Sequence, residues 1–275
     1  MIRRIVPGIV IVGLASIASP QAERALATLP GYKIASRDTA YDETTAFDRA
    51  DRRARAAIGQ IRCAQRVSRL RRSGAFGPLD SLGGRAQCAV VSDRYIGVFF
   101  DSDTLFGSVS RMAAVDLETS ALHSAALDTA GILAVARAAR TAQLRGSDMF
   151  RSAERQYAPV AFHLGSDSIE VWLLPAAVLA GAPLTVGGER GYVFTGDGRQ
   201  IAREVDHFDS MRTLTVPDTG IVRIPSREET VPTITELMVA NILHDRGRRV
   251  WIDMQRETAT LRGDGANAVW IRVAR

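Results

Sequence analysis

Lysine is almost missing from this chain: Lys33 is the one lysine among 35 basic residues, and the other 34 are arginines. Histidine numbers 4, cysteine 2, and aromatic residues make up 6%. So few cysteines exclude a disulfide-dense miniprotein. Two of them cannot complete a structural zinc site, and neither has a histidine at finger spacing. The specific catalytic signatures are missing as well. There is no G-x-S-x-G nucleophile elbow, no H-E-x-x-H, no G-x-x-x-x-G-K-[ST], and no G-x-G-x-x-G following a strand. Asp101-Ser102-Asp103 begins like a calcium loop, but Leu105 stands where a third oxygen ligand is required and Phe106 where the sharp turn requires glycine. No apolar run of transmembrane length occurs after the first 22 residues.

What is present is a chain of 275 residues, 46% hydrophobic and 24% charged. That is enough to bury a substantial core in one large domain or two small ones, and it excludes a disordered tail or a collagen-like repeat. The net charge of +5 is not spread evenly. From Asp48 to Arg72, nine arginines against two aspartates give +7, so the rest of the chain carries −2. The preference for arginine over lysine reflects coding composition as much as any cationic role, so its location carries more information than its sum.

Residues 1–22 read MIRRIVPGIVIVGLASIASPQA. Arg3 and Arg4 precede an apolar stretch of 14 residues, Ile5 to Ala18, and Ser16-Ile17-Ala18 supplies small residues for a signal peptidase. This order predicts a cleaved secretory signal over 1–18, extending at most to 22. The competing reading is an uncleaved anchor. As a helix, though, the stretch covers only about 21 Å of a hydrocarbon core roughly 30 Å thick. Twin-arginine features are otherwise missing, and no cysteine lies nearby for lipid attachment. Export to the periplasm or the exterior is therefore expected. In an oxidising compartment Cys63 and Cys88 are expected to pair, with two buried free thiols as the alternative.

Helix formers run from Thr39 to Arg72 and stop at Ser73-Gly74. At helical spacing, Phe47, Ala50, Ala54, Ala57, Ile58, Ile61 and Ala64 share one face, and Arg52, Arg55, Arg62, Arg66 and Arg69 line up beside it. Cys63 falls near the arginine stripe, so its partner must approach from the flank unless the helix breaks near Gly59. Gln87–Ser92 and Tyr95–Asp101 predict a hairpin, and Met112–Leu117 a further strand. Asp128 is a candidate N-cap for a helix to Leu144, with Ile132, Val135, Ala136, Ala139 and Leu144 inward. A short helix is expected over Asp148–Tyr157.

Beyond that point the pattern is strand and turn. Val160–Leu164 with Ile169–Leu174, Gly191–Thr195 with Gln200–Asp206, and Met211–Val216 with Ile221–Ile224 read as three hairpins. Thr233-Ile234-Thr235-Glu236 is a capping box, followed by an apolar face of Ile234, Leu237, Met238 and Leu243 with Asn241 at its margin, and by Gly247 as a stop. Val250–Met254 and Val269–Val273 are alternating strands. The expected fold is α+β: an antiparallel sheet built mainly from hairpins in the second half, with the arginine-rich helix and further helices in the first. One domain over 19–275 is favoured, and any subdomain boundary would fall near 146–158.

The one cluster of chemistry-bearing residues is Glu204-Val205-Asp206-His207-Phe208-Asp209. His207 and Asp209 could meet across a turn as an oriented base or a metal pair, with His163 or Glu170 as a further ligand. The competing reading is a solvated strand end, and four histidines are a thin supply for a metal centre. His244-Asp245 at a helix C-terminus is explained by the helix dipole. The arginine stripe at 52, 55, 62, 66 and 69 could engage an anionic envelope surface. Export and the lack of interleaved aromatics argue against nucleic acid. No cofactor is expected and the partner stays open, an anionic surface or another exported protein. The leading expectation is a non-enzymatic binding or envelope-interaction module; the alternative is an exported hydrolase centred on His207 and Asp209.

Overall fold

The structure is a computed structural model, and it describes residues 43–73, 85–91, 94–100, 112–116, 129–146, 157–163, 168–175, 184–206, 211–217, 220–263 and 268–275. The signal segment, the Asp128 cap, most of 148–157, and His207 and Asp209 lie outside these residues. The described residues form an α+β structure of three helices and several sheets. The sheets are antiparallel throughout except at one strand pair.

Helix α1 runs unbroken from Glu43 to Arg72, through Gly59. Its length of about 45 Å follows from the rise of 1.5 Å per residue. The alanine-rich face is buried: Ala50, Ala54, Ala57, Ile58 and Ile61 join Phe47 in the larger core. Small side chains there let neighbouring backbones come close. Beside the helix lie strands β1 (Arg85–Val91) and β2 (Arg94–Phe100), an antiparallel pair extended by β3 (Met112–Asp116). Cys63 on α1 is disulfide-bonded to Cys88 on β1, with Cα atoms 6.2 Å apart. The helix does not break at Gly59 to make this bond, and Cys63 is buried.

Helix α2 spans Thr129–Arg145. Leu144, expected inward, is 54% exposed. At about 100° per residue it lies about 120° around the helix from Ile132, off the face that holds Val135, Ala138 and Ala142. Tyr157, expected to end a short helix, instead opens strand β4 (Tyr157–His163). β4 pairs with β5 (Ser168–Pro175), β5 with β7 (Arg190–Thr195), and β7 with β8 (Ile201–Asp206), all antiparallel. The first two predicted hairpins are therefore present.

Neither face of β5 reaches solvent, because every residue from Ile169 to Pro175 is buried. Ile169, Val171 and Leu173 pack with α2, while Trp172 and Leu174 face the core that α1 enters. Gly191 sits opposite Trp172 in the register, and a Cβ there would lie 2.8 Å from the indole ring.

The third predicted hairpin does not form. Strand β9 (Arg212–Leu214) pairs with β6 (Leu184–Val186), a short strand with no clear sequence signal. Strand β10 (Ile221–Pro225) instead pairs in parallel with β11 (Arg249–Asp253). A parallel neighbour needs a crossover, and helix α3 (Ile234–Asp245) supplies it. Both halves of the Thr233/Glu236 capping box are made. At the other end, Gly247 at φ +75° donates to the His244 carbonyl and Arg248 to that of Leu243, a Schellman stop. The sheet continues through β12 (Glu257–Arg262), unrecognised in the sequence, to β13 (Val269–Ala274). Val222, Ile224, Val250, Ile252 and Ala259 turn one face of it into the core shared with α1 and α3.

Candidate functional site

The arginines of α1 divide into two sets. Arg53 reaches Glu170 of β5 at 2.8 Å, and Arg55 reaches Asp51 one turn back at 2.8 Å. The carboxylates are buried in both pairs. Asp51 also accepts a hydrogen bond from Asn241 of α3 at 3.0 Å, so Arg55 belongs to a network that bolts α1 to α3. This removes Arg55 from the exposed stripe in which the helical spacing placed it. Arg52, Arg62, Arg66 and Arg69 are exposed, and Arg62 meets Asp245 at 2.9 Å where both side chains are open to water. An exposed pair of this kind contributes little energy and yields to a competing anion.

Two further carboxylates are buried at the start of α3. Glu236 accepts from Arg212 at 2.7 Å, from Ser226 at 2.8 Å and from the Thr233 amide at 3.0 Å. Glu189, fully buried, accepts from the Thr235 hydroxyl at 2.8 Å and faces its amide at 3.4 Å. The Thr235 hydroxyl in turn accepts from Gly187 at 2.6 Å. Burial holds the Glu236 carboxyl above its ordinary value. Hydrogen bonds from Ser226 and Thr233 oppose that rise, the nearby Glu189 charge adds to it, and Arg212 opposes it. Acceptors at a helix N-terminus satisfy otherwise orphaned amides. These bonds serve α3, its junction with β9 and the segment after β10, which makes the pair structural.

The other sequence candidates separate. His207 and Asp209 lie outside the described residues. Glu204 of β8 is exposed and meets Arg145 of α2 at 3.2 Å. Glu170, a possible extra ligand, is instead held by Arg53 and by the Trp172 indole N–H. His244 bonds the Gly263 carbonyl at 2.7 Å while Asp245 turns to Arg62, so the two do not act on each other. Among the described residues no three His, Cys, Asp or Glu side chains converge as a metal centre, and no helix is long and apolar enough to cross a membrane.

Among the described residues, the candidate site with reach to solvent is therefore the outer face of α1. Sequence periodicity located it, but could not tell Arg55 from its neighbours. An aspartate four residues earlier does not separate them, since Arg52 follows Asp48 at the same spacing as Arg55 follows Asp51; the difference is that Asp51 is buried and bonded by Asn241. The chain matches no known family model, no curated protein and no solved structure.

Proposed function

We propose that the chain is an exported, non-enzymatic binding module that docks on an anionic envelope surface through Arg52, Arg62, Arg66 and Arg69 of α1. The supporting observation is the division of that helix. Its inward arginines are consumed by buried carboxylates, its apolar face is packed into the core, and its outer guanidinium groups project from a backbone that cannot rotate. Guanidinium groups suit phosphate and carboxylate recognition because they present fixed forks of donors. Export is supported by residues 1–22 and by the Cys63–Cys88 bond, since such bonds persist in oxidising compartments.

The test uses mature protein and vesicles of phosphatidylglycerol mixed with phosphatidylcholine. Retention should fall steeply with salt, because the attraction acts over a Debye length. Changing Arg52, Arg62, Arg66 and Arg69 together to Gln should weaken binding more than about a hundredfold, at about 1 kcal/mol per arginine. Arg55→Gln should lower stability and leave vesicle binding nearly unchanged. Binding that ignores salt, or a chain recovered from cells with residues 1–18 still attached, defeats the proposal.

A further inference from the structure

Strand β13 ends the β10–β11–β12–β13 sheet, and among the described residues nothing pairs with its outer side. Exposed edges invite pairing with other chains, so proteins commonly blunt them with proline, charge or irregularity. Three other edges here carry such devices. β4 contains Pro159, and the Gln60 amide bonds both the carbonyl and the amide of Ala161. β8 exposes Arg203 and Glu204 and is irregularly registered against β7. β10 exposes Arg223 and ends in Pro225. β13 reads Val-Trp-Ile-Arg-Val-Ala, with no proline and one charge. Even that charge is occupied: Arg272 bridges Glu257 and lies 5.1 Å over the Phe47 ring. Val269 and Val273, meanwhile, are 50% and 52% exposed.

We propose that β13 pairs antiparallel with β13 of a second copy, about a two-fold axis through Ile271. Backbone geometry selects this register. The Arg275 amide donates to the Arg256 carbonyl at 2.9 Å, and the register sets those residues opposite each other. Hydrogen-bonding pairs alternate along an antiparallel ladder, so Val269, Ile271 and Val273 direct their backbone groups at β12. Trp270, Arg272 and Ala274 direct theirs outward. A second strand must set outward residues against outward residues. Centring the pair on Trp270 or Ala274 matches half of the strand or less, and centring on Arg272 opposes like charges.

Centring on Ile271 has neither defect. Each Val269 then faces Val273 of the second copy, Ile271 faces its own equivalent, and Trp270 lies opposite Arg272 of the second copy, whose charge stays on Glu257. The two four-stranded sheets become one of eight. A two-fold axis makes the patch complementary to itself, as closed dimers require.

The test takes the mature, disulfide-intact chain through sedimentation equilibrium over a range of concentrations. The wild type should be a dimer. Val269→Lys with Val273→Lys places lysine against lysine across the axis and should raise the dissociation constant about tenfold or more. Val269→Lys with Val273→Glu places lysine against glutamate and should restore the dimer. Ile271→Cys should crosslink to itself under mild oxidation, whereas Val273→Cys, which faces residue 269, should not. A monomeric wild type, a dimer indifferent to the paired lysines, or a failed Lys/Glu rescue overturns the proposal. Matching thermal transitions exclude misfolding; should the lysine variant misfold, the cysteine crosslinks decide.

Discussion

At the scale of single residues, buried charge is placed with partners that sit far away in sequence. Glu189 serves the amide of Thr235, 46 positions on, and Asp51 is bonded by Asn241, 190 positions on. The capping role of Glu236 is readable from Thr233-x-x-Glu236 because both bonds are local. Its bond to Arg212 is not, since that depends on β9 lying against β6. Glu236 also gives a pH prediction. A carboxyl whose folded pKa is raised holds its proton more tightly in the folded state. The stability it confers is complete below the ordinary value of 4.5 and is lost as pH rises through the folded value. Glu236→Gln cannot ionise and stays neutral throughout, so its stability relative to wild type should improve as pH goes from about 4 to about 7. Urea unfolding at the two pH values measures it, and a pH-independent gap would refute this account.

Among the elements, turns and helix ends were the most legible parts of the chain. Gly196-Asp197-Gly198 and the Gly247 stop follow from glycine's access to positive φ. What lies behind each glycine is a tertiary matter. Gly198 is at φ +71°, and a Cβ there would sit 2.0 Å from the Ala134 carbonyl of α2. Gly247 is at φ +75° with nothing within 4 Å. Gly247→Ala should cost about 1 kcal/mol, the left-handed penalty alone. Gly198→Ala must also push the turn away from α2, breaking the Arg137 bond to the Asp197 carbonyl, and should cost clearly more. Denaturant midpoints rank the two; equal losses would mean that the turn is not docked on α2. The β9–β10 reading failed for a related reason. Pro217 and Gly220 do mark a break in the chain, but each flanking strand finds a better partner elsewhere.

Across the whole molecule, α1 joins parts of the chain that differ in sequence texture. It contributes to a core with residues from β4, β5, α3 and β11, and it is crosslinked to β1. Replacing both Cys63 and Cys88 with Ser should cost about 3 kcal/mol on the chain-entropy estimate for a loop of this size. That is a large part of a typical domain's margin. Thermal melts of the double variant and of reduced wild type should agree with each other; a loss well under about 1 kcal/mol would show that packing alone holds α1 to β1.

The sequence by itself determined the three described helices, the cap and stop of α3, most strands, the hairpins other than β9–β10, and the concentration of positive charge on α1. Each of these rests on periodicity or on bonds between residues a few positions apart. Tertiary structure alone decided that β10 runs parallel to β11, that β5 is covered on both faces, and that Arg53 and Arg55 turn inward while their neighbours do not. Those outcomes depend on which surface arrives from elsewhere to remove water, and nothing within a few residues encodes that arrival.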